Sequence, residues 1–262
     1  MSIMKPSYFQ TFMGIDFLHR SRSEVRSVVR EAALQKYTYL VTPNVDDLVK
    51  TLGGFLAPHH SRAFLKADYK ICDSKILQLL SWLVGKPLRQ YPGSDLVKDL
   101  LADPSFNNML TVVIGPSAIE FAEIVRLYPN RRFTFVESPT PLRPGTEAWQ
   151  LCLKRLLEED WNIALICLPL PRQQLIAEGL RERGRQDGIA LCVGASVDFL
   201  SGKQKRAPAI MQFAGLEWLY RLATNPRRLW RRYLIEGPTI FPLFISRELL
   251  PWIRGRLRNQ KN

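Results

Sequence analysis

The residues of this chain best suited to chemistry sit in short polar turns. Thr42-Pro43-Asn44, Gly115-Pro116-Ser117, Leu168-Pro169-Leu170-Pro171 and Gly194-Ala195-Ser196 each follow an apolar run of strand-like composition. Hydroxyls and amides can hold a polar ligand, and proline fixes the turn that presents them. If the runs are parallel strands, all these turns open onto the carboxyl edge of one sheet, where loops and helix N-termini converge and ligands gather. Their shared position predicts a cleft. Thr42-Pro43-Asn44 also suits a helix start, because an apolar helical pattern follows it. Asp73 has the same double character, since it precedes Lys75-Ile76-Leu77 and would make a good N-cap. Asp46 and Asp47 read as first-turn acids favoured by the helix dipole.

Other chemistries lack their residues. The three histidines, His19, His59 and His60, stand at no metal-ligand spacing from another candidate ligand, which argues against a zinc site or a histidine-dependent triad. No D-x-D sequence falls at a strand end, so neither a metal nor another cofactor is expected. Cys72, Cys152, Cys167 and Cys192 lie far apart without a C-x-x-C pair and read as reduced core residues of a cytosolic protein.

Cations are plentiful and unevenly placed. The formal net charge is +13 over 262 residues, and residues 203–262 hold 13 Lys and Arg against three acids, Glu217, Glu236 and Glu248. Such asymmetry implies an anionic partner: lipid headgroups, nucleic acid or a phosphorylated substrate. Over residues 226–234, Trp230, Tyr233 and Leu234 share one helical face, and Arg228, Arg231 and Arg232 share another. Over residues 246–258, Leu250, Ile253 and Leu257 oppose Arg247, Arg254 and Arg258. Cations opposite rings and aliphatics describe a helix lying on an anionic membrane surface, with Trp230, Arg232, Tyr233, Trp252 and Arg254 as the expected contacts. A solvated face packed on the core fits the same pattern. Nucleic acid is not expected, since no zinc finger or RNP-type sequence is visible. The N-terminus lacks the apolar segment of a signal peptide, and the most apolar stretch, residues 76–85, is about half the length needed to cross a bilayer.

The elements that must position these residues follow from periodicity. Strand-like runs at 39–42, 110–115, 133–136, 163–168 and 189–193 alternate with helical patterns beginning near Val45 and Ser117 and covering 147–159 and 172–185. Such alternation argues an α/β protein with a mostly parallel sheet and helices on both faces. Residues 1–202 form this core. After Gly202 the alternation stops, and residues 203–262 read as a basic amphipathic helical appendage with helices over 208–222, 226–234 and 246–258.

Residues 193–234 carry a longer pattern. Gly194, Asp198, Gly202, Arg206-Ala207-Pro208, Gly215-Leu216-Glu217-Trp218, Arg221, Pro226, Arg228 and Arg231-Arg232-Tyr233 stand in the order that closes the WecG/TagA/CpsF glycosyltransferases, glycosyltransferase family 26, and the chain resembles that family. Upstream, VTPNVDDLV, ADYKICDS and YPGSDLVKDLL resemble its V-T-P-N, A-D-L-x-x-P-D-G and G-x-D-L segments. The resemblance implies a Rossmann-like core and inverting transfer of a sugar from a UDP-sugar to a polyprenyl-pyrophosphate-linked sugar. The setting it implies is the cytoplasmic face of the bacterial inner membrane, in exopolysaccharide or cell-surface polysaccharide synthesis, with homo-oligomers possible and no obligatory metal.

The resemblance also implies roles. Asp73 matches the catalytic base, which takes the proton of the attacking hydroxyl. Thr42 and Asn44 match pocket residues beside it, and Gln173 borders the nucleotide. Asp198 orients an arginine or a sugar hydroxyl, or forms a structural ion pair with Arg206. Arg221, Arg228 and Arg231 match appendage positions that fold over the site and hold phosphate oxygens, so that docking on the membrane completes it. Three segments depart from the family pattern. P-D-G reads Cys72-Asp73-Ser74, P-K-Q-E reads Pro171-Arg172-Gln173-Gln174, and a glycine-rich strand end reads Cys167-Leu168-Pro169-Leu170. These changes reshape the donor pocket, leaving N-acetylmannosamine and glucose both open as the transferred sugar. The alternative is a non-catalytic, membrane-associated assembly subunit that keeps the fold.

Overall fold

A computed structural model describes residues 8–139, 142–200, 202 and 206–259 of the chain. Of the basic residues read above, Lys203, Lys205 and Lys261 lie outside the described residues. The chain opens with a hairpin, β1 (Phe9–Phe12) and β2 (Ile15–Leu18), that the sequence reading did not anticipate. Then follow α1 (Arg22–Ala32), β3 (Thr38–Val41), α2 (Val45–Leu52), α3 (Pro58–Leu65), β4 (Tyr69–Lys70), α4 (Lys75–Leu83) and α5 (Gly93–Ala102). The next stretch holds β5 (Leu110–Ile114), α6 (Ala118–Leu127), β6 (Arg132–Val136), α7 (Glu147–Glu158), β7 (Ile163–Ile166), α8 (Arg172–Glu182), β8 (Ile189–Cys192) and α9 (Ser196–Leu200).

Strands β3 to β8 form one six-stranded sheet in the order β4-β3-β8-β7-β5-β6, every pairing parallel. The parallel α/β architecture expected from the alternation, Rossmann-like as the resemblance implies, is therefore present. Because side chains alternate across a strand, each run supplies both faces of the sheet. Tyr39, Val41, Val112, Ile114, Ala164, Ile166, Ala190 and Cys192 enter one core cluster, and Leu40, Val113, Ile163, Leu165, Ile189 and Leu191 enter the other. Burial on both sides explains why these strands read as continuous apolar runs.

The C-terminal region comprises α10 (Ala209–Phe213), α11 (Glu217–Thr224), α12 (Pro226–Trp230), α13 (Ile240–Phe244) and α14 (Leu250–Asn259). Two expectations change here. The single helix read over 208–222 breaks at Gly215, whose φ of +73° suits glycine and is rare in other residues. The helices read over 226–234 and 246–258 join into a nearly continuous helical run. Wide, π-type turns occur over Arg231–Glu236 and Ile245–Leu249, and a tight turn at Gly237–Thr239. This region is fastened to the core. Ile240 and Phe244 are buried in the first core cluster, with the Phe244 ring 6.1 Å from that of Phe12. The buried carboxylate of Glu248 accepts the backbone N–H of Met13 and pairs with Lys86 at 2.8 Å.

Candidate active site

Parallel pairing puts the turns after β3, β4 and β8 on one edge, and hydrogen bonds then knit them together. Thr42 donates its hydroxyl to the carbonyl of Cys192 at 3.2 Å, tying the end of β3 to the end of β8. Asn44 caps α2: its side-chain oxygen accepts the N–H groups of Asp46 and Asp47 at 2.9 and 3.2 Å, and Asp47 returns the contact by accepting the Asn44 N–H at 3.1 Å. Between them, the carbonyl of Pro43 accepts the backbone N–H of Asp73 at 2.9 Å. The polar turn thus holds Asp73 by its main chain.

The capping role open to Asp73 belongs instead to Ser74. The Ser74 hydroxyl accepts the N–H of Leu77 in the first turn of α4. That serine stands where the family pattern has glycine, and it leaves the Asp73 carboxylate without a capping duty. One carboxylate oxygen accepts the N–H of Gly93, the first residue of α5, at 3.2 Å. Sequence reasoning assigned Gly93 no role, yet the position is tight: an added Cβ would lie 3.0 Å from the Thr42 hydroxyl and 3.4 Å from that of Ser196. Glycine there lets α5 approach the end of β3, a reason the G-x-D-L match alone does not disclose.

The electrostatics favour a protonatable carboxyl. Burial raises the Asp73 pKa, the charges of Glu217 and Asp47 raise it further, and Arg221 and the Gly93 N–H hold it back, so that it is pushed up to about 8. Burial, followed by the charge of Asp46, likewise lifts Asp47 to about 6 against the pull of the Asn44 backbone, Arg232 and Lys50. A carboxyl that exchanges its proton near neutral pH is suited to general acid or base work.

Residues 10–253 match the model of the glycosyl transferase WecG/TagA/CpsF family. The chain belongs to that family. A relative from Bacillus spizizenii, named N-acetylglucosaminyldiphosphoundecaprenol N-acetyl-beta-D-mannosaminyltransferase, is 28% identical over 178 residues, covering 68% of this chain and 68% of its own. The protein is accordingly a glycosyltransferase, and the remaining family positions can be placed around Asp73.

Arg221, on α11, is the arginine the structure brings closest in effect to Asp73. Its Nε and Nη2 both reach one carboxylate oxygen of Glu217, at 3.1 and 2.5 Å, and its guanidinium lies 4.9 Å from the ring centre of Phe199. Burial opposes its charge, but Glu217, Tyr233 and Asp73 outweigh that and hold its pKa above the ordinary value. The helix break at Gly215 delivers α11 to this place, with a Cβ there lying 3.3 Å from Lys75, the first residue of α4.

Arg228 and Arg231 are exposed, the latter 3.3 Å from Glu236. Arg232 turns inward to pair with Asp46 at 3.3 Å, beside the Lys50–Asp46 pair at 3.0 Å. Gln173 is buried and accepts the N–H of Gly194 at 2.8 Å, pinning the loop after β8 to the start of α8. Asp198, on α9, lies close enough to Cys167 to reinforce the effect of burial in raising that thiol's pKa. Arg206 pairs with Asp95 at 2.5 Å and with Ser94, joining the R-A-P segment to the G-x-D-L segment.

Of the remaining aromatic and basic residues, Trp230 and Arg254 are exposed. Tyr233 is half-buried near Trp218, and Trp252 packs partly against the core under Arg256. An unanticipated apolar surface lies next to the site. Leu79, Trp82 and Leu83 are exposed on α4, and Lys75 sits 5.7 Å from the rings of both Trp82 and Phe213, which is 82% exposed. Among the described residues no helix is long and apolar enough to cross a membrane, and no group of three His, Cys, Asp or Glu side chains could hold a metal ion.

Proposed function

We propose that the protein is an inverting transferase that moves a hexosyl unit, of N-acetylmannosamine or glucose type, from a UDP-sugar to a polyprenyl-pyrophosphate-linked sugar. The observation that carries this reading is the placement of Asp73: main chain fixed by Pro43, helix-capping duty taken by Ser74, and carboxyl tuned to about 8 at the strand edge. In the reaction an acceptor hydroxyl gives its proton to the Asp73 carboxylate as its oxygen bonds to the anomeric carbon. The bond from that carbon to the diphosphate oxygen breaks, and UDP leaves with the electron pair. Attack opposite the leaving group inverts the centre. Thr42 lines the same edge, while Asn44 and Gln173 keep the surrounding loops in place. Arg221 meets the charge growing on the diphosphate, a task for which a planar guanidinium is well shaped and which needs no resident metal in this reading.

The name of the Bacillus relative supports a lipid-linked acceptor, and the exposed rings and aliphatics beside the site support access from a membrane surface. We place the protein peripherally at the cytoplasmic face of the bacterial inner membrane, in exopolysaccharide or cell-surface polysaccharide synthesis. The test is UDP release from a panel of UDP-sugars with synthetic lipid-pyrophosphate-sugar acceptors, for the full chain and for Asp73→Asn. Acceptor-dependent release that Asp73→Asn abolishes supports the reading. Folded protein that binds no nucleotide-sugar would overturn it in favour of a non-catalytic assembly subunit.

A further inference from the structure

We propose that Glu217 is a positioning residue that keeps Arg221 from closing onto Asp73, so that one appendage helix supplies both the cation for the leaving group and the restraint that leaves the base available. An arginine beside a catalytic carboxylate is a hazard. A direct ion pair would hold the carboxylate ionised, occupy its oxygens and make it a weak proton acceptor.

The geometry avoids that outcome. Glu217 and Arg221 lie one helical turn apart on α11, with the acid N-terminal to the base, the better order for such a pair. Both Nε and Nη2 of Arg221 are committed to the same Glu217 oxygen, which fixes the guanidinium edge-on, and Phe199 of α9 backs its face at 4.9 Å. Nη1 has no hydrogen-bond partner among the described residues and is the donor left for phosphate oxygens. The groups acting on Asp73 are then Arg221 and Glu217 from α11, Asp47 from α2 and the Gly93 N–H from α5. Besides Glu217, Asp73 is the carboxyl that acts on the Arg221 charge, so loss of Glu217 leaves the guanidinium to Asp73.

The inference rests on the transferase reading for its catalytic consequence, and on the described contacts alone for its geometry. The test therefore has two arms. Carboxyl-carbon NMR of the full chain, with the Asp73 signal identified by its loss in Asp73→Asn, follows the titration midpoint of Asp73 in wild type, Glu217→Gln, Arg221→Gln and the double variant. Glu217→Gln lowers the midpoint by about one unit in the wild-type background and by much less once Arg221 is gone, because the effect travels through the guanidinium. Glu217→Asp, which keeps the charge on a shorter arm, falls between and serves if the glutamine variant folds poorly. In turnover, the pH limb of Glu217→Gln moves to lower pH while the plateau kcat falls about tenfold, as a weaker base requires. A midpoint that does not move, or that moves equally in both backgrounds, overturns the positioning role even if transfer is robust. A midpoint that behaves as stated in a protein with no transferase activity upholds the geometry and overturns the reaction assignment instead.

Discussion

The Asp73 carboxylate receives the N–H of Gly93 at 3.2 Å, and this bond joins the loop after β4 to the first turn of α5. It stabilises the ionised form of a carboxyl that its surroundings otherwise keep protonated. Replacing Asp73 by Asn should lower kcat by about 10²- to 10⁴-fold, the usual contribution of a general base, with little change in donor KM. Steady-state kinetics with a competent donor and acceptor pair would check both numbers.

The pH dependence has two signs. For turnover the ionised carboxylate is the active form, so kcat/KM should rise with pH and level off above about 8, the value to which Asp73 is pushed. For stability the same shift works in reverse. An acid whose pKa is raised on folding costs stability progressively between its unfolded value, about 3.9, and its folded value. Asp73→Asn should therefore melt above wild type at pH 9, with the advantage shrinking to nothing near pH 4. Thermal melts across that range would show it, and a constant offset at all pH values would contradict it.

Gly93→Ala tests the tight approach of α5 to the end of β3. The added methyl would meet the Thr42 hydroxyl at 3.0 Å, so either Thr42 gives up its bond to Cys192 or α5 backs away from Asp73. Overpacking of this kind costs about 1–3 kcal/mol. Activity should suffer more than stability, because either response disturbs Asp73 directly. Gly93→Ala/Thr42→Ser, which removes the Thr42 methyl 3.2 Å from the added Cβ, should recover part of the stability in a denaturant titration.

The C-terminal region should not be removable as a unit. Phe244→Ala removes a ring packed on Phe12 and should cost about 3–5 kcal/mol, the range for a buried phenylalanine. Truncation after residue 202 would also expose Met13 and leave Lys86 without Glu248, and should yield aggregated rather than folded core. A soluble, cooperatively melting fragment of residues 1–202 would refute this.

What the sequence disclosed and what it hid have physical causes. Strands β3, β5, β6, β7 and β8 were legible because burial on one or both faces makes them apolar runs. β4 is two residues long and ends in Lys70, and the β1–β2 hairpin turns at Met13-Gly14 rather than at a strong turn dipeptide. Thr42 and Asn44 were legible as a turn at a strand end, whereas Asp73 was joined to them by the resemblance to the family, because β4 gave no strand signal. Their division of labour was not legible, since Asn44 caps a helix and Ser74 relieves Asp73 of doing so. The arginine faces were legible only in part. Arg231 and Arg232 are neighbours about 100° apart round the helix, and only Arg232 meets a partner on another element, Asp46 of α2, which periodicity alone does not show.

The exposed surface of α4 and α10 gives the membrane reading its sharpest test. Trp82 and Leu83 are 53% and 65% exposed, and Phe213 stands beside them across Lys75, so their substitution removes contact area without opening the core. Burying such a side chain in an acyl boundary contributes about 1.5–3 kcal/mol, and each 1.4 kcal/mol is tenfold in affinity. Trp82→Ser with Phe213→Ser should therefore weaken binding to anionic vesicles at least tenfold, at low and high salt alike, while melting temperature stays near wild type. Arg228→Gln with Arg231→Gln should weaken binding only at low salt, because exposed charges are screened as ionic strength rises. Vesicle cosedimentation across a salt series separates the two contributions. Unchanged binding in the first pair would move the membrane contact off this surface and onto the basic helices alone.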